Sequence, residues 1–219
     1  MSERLPAGGT ELSPDEIDGL HARWSSSWTP GEVAQRLAGV RTPWYVAGGW
    51  ALDLFLGRRT RVHGDIEIAV PEAGFPEVRQ RFPGYVFDAA GGGRIWEDPT
   101  PEVLAAVHQT WLRDPATGNY LLDVFREPHD GGTWIYRRDE EIRFPYSAVI
   151  HHARAGIPYL APELVLLFKA GHPRGKDQQD FDAAVPHLTG AQHEILAGLL
   201  TRVHPEHPWL ADLHRARGV

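Results

Sequence analysis

The sequence predicts an α/β fold: a small mixed, twisted sheet flanked by helices, followed by a helical C-terminal part. Three observations carry this expectation. Trp44-Tyr45-Val46-Ala47 is a short apolar run that stops at Gly48-Gly49 and then returns to helical spacing from Trp50 to Leu56. Asp65-Ile66-Glu67-Ile68-Ala69-Val70 alternates acids and aliphatics with the period of a strand. From Pro162 onward the apolar positions recur at helical spacing.

Taken in order, residues 1–12 are polar and rich in Gly and Pro, and read as a flexible arm. Ser13-Pro14-Asp15-Glu16 has the form of a capping box with proline at the first helical position, so a helix should run to about Trp24. Thr29-Pro30-Gly31-Glu32 repeats that signature and opens a second helix, to about Leu37. After the strand, glycine turn and helix of 44–56 and the acid-bearing strand, a helix is expected over Glu72 to Arg81 and a strand over 85–87, before a flexible Gly91-Gly92-Gly93. Residues 109–113 and 120–125 flank the turn-rich 114–119 and read as a hairpin. A further strand pair is expected at 134–136 and 142–144, then helices at 163–170, 177–185, 192–202 and 209–215. The composition shift near Gly156 divides the chain into an α/β domain of 13–155 and a helical subdomain of 156–219. No internal repeat is visible.

Composition restricts the function classes. The chain has 219 residues, 42% of them apolar and 23% charged, as in ordinary soluble proteins. A formal net charge of −7 argues against a nucleic-acid binder, which needs a basic surface. With no cysteine, disulfides, thiolate nucleophiles and zinc-thiolate sites are excluded. No secretory signal and no membrane-length apolar run is visible, so a cytoplasmic protein is expected. Of the 22 basic residues two are lysines, Lys169 and Lys176.

The chemistry is carried by Gly48-Gly49, a short helix, Asp65-x-Glu67 on one strand face and Asp123 on a later strand. Backbone N–H groups at a glycine turn leading into a helix form a ready site for phosphate, and glycine permits close approach. Carboxylates two apart on a strand can bridge two hard cations roughly 4 Å apart, which clamp the attacking and leaving oxygens of an in-line displacement. Each element alone is more often a solvated strand face or a common turn; the combination is what points to phosphoryl transfer. The His151-His152 pair is a poor metal site, because neighbours on a strand point to opposite faces, and no HExxH spacing occurs.

The stretch GGWALDLFLGRRTRVHGDIEIAV, residues 48–70, resembles the nucleotide-binding segment of aminoglycoside and lincosamide nucleotidyltransferases of the polymerase-β superfamily. Gly48, Gly49, Trp50, Asp53, Gly57, Arg58, Thr60, Arg61, His63, Asp65 and Glu67 match by type and order, and Leu121-Leu122-Asp123-Val124 is similar to the strand bearing the family's third acid. Glu67 stands where aspartate is commoner. Lys176-Asp177-x-x-Asp180-Phe181 is similar to a segment found after the catalytic domain of many such enzymes.

The resemblance implies a polymerase-β-like fold and a magnesium-dependent enzyme. Its reaction would move a nucleoside monophosphate from an NTP, ATP foremost, to a hydroxyl of a small molecule, with an aminoglycoside or lincosamide among the candidate acceptors, and release pyrophosphate. In that reading Asp65 and Glu67 hold two magnesium ions, Asp123 completes the site as ligand or base, and Gly48-Gly49 cradle the phosphates. Arg58, Arg61 and Lys176 would neutralise the triphosphate. His63 would contact a phosphate or orient an acid. Asp53 has two readings, a partner for the arginines near Arg58 or an exposed helix acid. Trp50 has two as well, a core residue or a stacking platform. The competing functions are a toxin-like nucleotidyltransferase acting on protein or tRNA and a non-catalytic nucleotide-binding module. Oligomeric state is not legible.

Overall fold

The computed structural model describes residues 5–216. Strand β1 (Thr10–Glu11) opens the described chain, so part of the stretch expected as a flexible arm is instead paired at a sheet edge; residues 1–4 of that arm lie outside the described residues. Helices α1 (Pro14–Arg23) and α2 (Pro30–Arg36) follow, each closed by the expected capping box. Next come β2 (Tyr45–Val46), α3 (Gly48–Leu56) and β3 (Glu67–Pro71). The expected acid-bearing strand begins at Glu67, leaving Asp65 just before it.

A 3-10 turn (Glu72–Gly74) runs into α4 (Phe75–Arg79), and β4 (Val86–Gly91) is followed by β5 (Arg94–Trp96). Gly91 pairs with Arg94, so Gly92 and Gly93, both at positive φ, make a two-residue hairpin turn where the sequence reads as a flexible run. Helix α5 (Pro101–Ala106), capped by Thr100, was not expected. Strands β6 (Gln109–Arg113) and β7 (Tyr120–Glu127) form the expected antiparallel hairpin. β8 (His129–Asp130), β9 (Thr133–Ile135) and β10 (Arg143–Pro145) make a small separate sheet.

After α6 (Tyr146–Val149), strands β11 (Ile150–His152) and β12 (Pro158–Leu160) form a hairpin that joins the main sheet. The helices α7 (Pro162–Ala170), α8 (Gly175–Ala184), α9 (Gly190–Val203) and α10 (Trp209–Ala216) then complete the chain. The boundary expected at 155/156 therefore falls inside a hairpin, and the helical part starts at Pro162. It has no separate core: Leu164, Leu166, Phe181, Leu200 and Trp209 belong to the same buried cluster as Val46, Ile68 and Val124.

Among the described residues the main sheet has nine strands, in the order β1-β5-β4-β6-β7-β3-β2-β12-β11. β3 runs parallel to β7 and antiparallel to β2, and β12 runs parallel to β2. The acids consequently fall at the centre of the sheet, beside the glycine turn. Seven of the nine residues of α7 are buried, which seats this helix as the opposite wall of the site.

Candidate active site

The site is built where β2 ends. Ala47 is the N-cap of α3 and supplies no side-chain cap, so the N–H groups of the first turn are left for a ligand. Gly48 has a φ of 58°, and a Cβ there would overlap Glu67 Oε2. A Cβ on Gly49 would run into the Arg61 guanidinium and come within 2.7 Å of the His63 ring. Both glycines are thus required by close approach, and Gly48 by backbone conformation as well.

Parallel pairing of β3 with β7 sets Glu67 directly opposite Asp123, and the Asp123 N–H donates to Ile66 O at 2.9 Å. Asp123 is 2% exposed; its Oδ2 accepts from Gln109 Nε2 at 2.5 Å, while its Oδ1 is buried without a hydrogen-bond partner. Burial, and then the nearby Glu67 charge, push the Asp123 carboxyl well above the usual range. Burial, and then the charge of Asp65, push Glu67 up to about 7.

Two cavities meet at Glu67, Lys169 and Arg174. A recess of about 70 Å³ is lined also by Gly49, Trp50, Arg61, His63, Asp65 and Lys176. A larger cavity of about 400 Å³ extends from Gly48 past Phe125 to Glu127, with Val165 and Phe168 of α7 as its far wall. Asp123 lines neither, although Phe125 and Glu127 follow it at strand spacing on the same face of β7.

The cations of the recess are held by the acids of α8. Arg61 makes a bidentate pair with Asp180, at 2.9 and 3.0 Å, and Lys169 Nζ lies 2.8 Å from Asp180 Oδ2 and 2.9 Å from Asp177 Oδ1. Arg174 donates to Asp177 Oδ2 at 2.8 Å. Burial works against these carboxylates, yet hydrogen bonds from Arg174 and Lys169 hold Asp177, and from Arg61 and Lys169 hold Asp180, below the usual range. Three guanidinium or ammonium groups share two carboxylates, leaving a positive balance beside the glycine turn.

A second cluster fixes the turn from behind. Asp53 is buried and accepts from Thr60 Oγ1, and its Oδ2 lies 2.5 Å from His63 Nε2, so it is neither an arginine partner nor an exposed acid. The short connection from Gly57 brings Thr60 and His63 back over the helix, which explains the outcome. Burial lowers the His63 pKa, outweighing the Asp53 hydrogen bond. Trp50 packs on the His63 ring at 4.4 Å and donates to Asp65 O at 3.0 Å; it is a half-buried buttress rather than a core residue.

Most residues singled out from the sequence converge here: Gly48, Gly49, Arg61, His63, Asp65, Glu67 and Lys176 line the cavities. Arg58 does not. It follows the left-handed Gly57 that ends α3, is exposed, and lines neither cavity. Sequence reasoning missed Lys169, Arg174, His108, Arg137 and Glu127. The rarity of lysine was a usable signal for Lys169.

Residues 31–95 match the family model of aminoglycoside-2''-adenylyltransferase, a span that contains the glycine turn, Asp65 and Glu67 and ends before Asp123. Over this span the chain is similar to that family. Its fold is that of the polymerase-β-like nucleotidyltransferases, in line with the lincosamide antibiotic adenylyltransferase LnuA in its lincomycin-bound crystal structure. That likeness has a TM-score of 0.50 at 17% identity, over 80% of this chain and 98% of LnuA. The crystal structure of ANT(2'')-Ia with adenylyl-2''-tobramycin gives 0.51 at 16% identity, over 78% of this chain and 95% of that one. The solution structure of the antibiotic-resistance factor ANT(2'')-Ia gives 0.50 at 17% identity, over 94% and 100%. No curated protein matches the chain by sequence. Within this site, among the described residues, no three His, Asp or Glu side chains converge on one point as they stand. The donor set nonetheless suits a hard divalent cation. It consists of carboxylates alone, one oxygen of Asp123 is buried and unpartnered, and burial with the neighbouring Asp65 charge disfavours an ionised Glu67, a cost that a bound cation would offset.

Proposed function

We propose that the protein transfers a nucleoside monophosphate from an NTP to a hydroxyl of a small molecule and releases pyrophosphate. The observation that carries this reading is the register of Glu67 against Asp123, next to an uncapped glycine turn and a recess lined by Arg61, Lys169, Arg174 and Lys176. Asp65, Glu67 and Asp123 would hold magnesium, two ions in all. When bound, magnesium supplies positive charge to the phosphoryl oxygens as they react.

The chain's own groups divide the remaining work. N–H groups at the start of α3 face the phosphates, and the recess cations neutralise the departing pyrophosphate. Asp123, buried and raised in pKa, is the group to receive the proton of the attacking hydroxyl. In-line geometry puts that hydroxyl opposite the pyrophosphate, which assigns the larger cavity to the acceptor. The likeness to adenylyltransferases favours ATP as donor, and an NTP donor accords with work in the cytoplasm. No helix of the described residues is long and apolar enough to cross a membrane.

A panel of NTPs with hydroxylated acceptors, in magnesium and in EDTA, tests the reading through pyrophosphate release and product mass. Magnesium-dependent appearance of a nucleotidylated product is the expected result. Release of pyrophosphate with no acceptor modified, or label passing to tRNA or protein instead, would overturn it.

A further inference from the structure

The larger cavity has an apolar middle. Phe125 stands between Asp123 and Glu127 on their face of β7, and it is the one residue of that strand not buried. On α7, Phe168 and Lys169 are the two residues left partly open, and both line the cavity. Strand and helix therefore each turn a partly uncovered ring to the same space. Leu160 and Val165 join the two phenylalanines in its wall.

Both rings are braced from behind. Phe168 lies 4.8 Å from the Tyr136 ring and meets Trp134 edge-on at 6.2 Å between centroids. Phe125 stacks on His108 at 5.7 Å. Burial, and then the Arg137 charge, lower His108 to about 4, so at neutral pH this ring is uncharged and extends the aromatic surface. Large apolar side chains left open inside a concave site mark the surface that a ligand covers. Polar lining groups stand at either end of this middle. Lys169, Arg174 and Asp177 pair with one another beside the recess, while Glu127, beyond Phe125, spends Oε2 on Tyr45 and Trp134 and keeps Oε1 without a partner. A ligand's polar substituents find partners at those ends. A hydroxyl set against Phe125, Val165 or Phe168 loses its water and gains nothing in return.

We propose, building on the function proposed above, that the acceptor is an alcohol whose reacting hydroxyl is borne on an apolar, aryl-sized body, and that Phe125 and Phe168 cover this body from the strand side and the helix side. Covering it removes apolar surface of both partners from water, which is the main source of affinity such a wall can supply. A polyol of the same size gains none of this. The two phenylalanines are thus the residues that set acceptor specificity, and the phosphate side of the site takes no part in that choice.

The test uses two uncharged probes with a primary hydroxyl, 4-isopropylbenzyl alcohol and the polyol methyl α-D-glucopyranoside, and tobramycin as a polar polycation. Binding to the full chain is read by ligand-observed NMR, and transfer by product mass with magnesium and ATP. The aryl alcohol should bind about tenfold or more tightly than the glucoside. Phe125→Ser and Phe168→Ser, each checked for an unchanged Tm, should each remove most of that preference. Where a serine variant does not fold, the leucine variant, which keeps apolar volume but loses the ring face, should lower the aryl alcohol's affinity by about two- to threefold. Equal or tighter binding of the glucoside or of tobramycin, or an aryl preference that survives the substitutions, would overturn the inference. Aryl-alcohol binding without transfer to any acceptor would sink the proposed reaction while leaving the apolar subsite standing; transfer to the glucoside or tobramycin but not to the aryl alcohol would do the reverse.

Discussion

Glu67 and Asp123 face each other across two parallel strands, and the methylene that distinguishes Glu67 from aspartate lets its carboxylate reach the backbone of Gly48. The acid proposed to hold metal and the turn proposed to hold phosphate are therefore in contact. A single methyl at Gly48 disturbs both, because it overlaps Glu67 Oε2 and imposes a side chain at a φ of 58°. Gly48→Ala should abolish magnesium-dependent nucleotide binding and cost about 1 kcal/mol or more of stability. Calorimetric titration with ATP and a thermal melt measure the two effects; normal affinity would mean that the turn does not touch the nucleotide.

The three acids should separate by role. Asp65→Asn is expected to weaken metal-dependent nucleotide binding and to stop turnover. Asp123→Asn should keep nucleotide affinity within a few-fold and lose roughly 10²-fold or more in single-turnover rate, the scale of general-base removal. Equal losses of affinity in the two variants would make Asp123 a principal metal ligand like Asp65 and remove the base role from it.

Asp180 is 2% exposed and holds both Arg61 and Lys169. Asp180→Asn leaves two cations short of a partner in a largely buried setting, a change that typically costs about 3 kcal/mol. KM for the nucleotide should rise more than kcat falls, because the groups affected would neutralise the triphosphate. Denaturant melts and steady-state kinetics check both, and a loss confined to kcat would disconnect α8 from nucleotide binding.

Burial pushes Glu127 up to about 7 in the folded protein, from an ordinary glutamate value of 4.5, although Tyr45 and Trp134 donate to it. A carboxyl with a raised folded pKa favours the folded state most fully below the unfolded value. That contribution is lost as pH climbs through the folded value. Wild-type stability should therefore fall between about pH 5 and 8, by up to about 3 kcal/mol from this residue. Glu127→Gln, which keeps the acceptor oxygen, should flatten this part of the slope; identical pH profiles of the two proteins would refute the assignment.

The parts of the site legible in the sequence are those whose signals are local. Gly48-Gly49 and the alternation through Asp65 and Glu67 mark a turn and a strand within a few residues of the chemistry. Leu121-Leu122-Asp123-Val124 reveals the third acid because β7 is buried on both faces. Other features depend on contacts no local pattern encodes. Arg61 finds Asp180, 119 residues later, and Lys169 and Arg174 join the recess only because α7 packs against α3 and α8. Gly91-Gly93 reads as flexible since the same residues serve loops and tight hairpins, and the deciding partner, Arg94 across from Gly91, also belongs to the unseen β5.

The pairing of β12 with β2 at Tyr159 and Val46 lies one residue before the N-cap of α3. Late and early chain are thus stitched together at the point where the glycine turn begins. A nascent polypeptide cannot complete that turn's surroundings until residue 160 has emerged, and a fragment cut before Pro158 exposes the edge of β2. The smallest working unit of this protein accordingly has to include its tail, and shuffling that tail between relatives would reset the chemistry along with the selectivity.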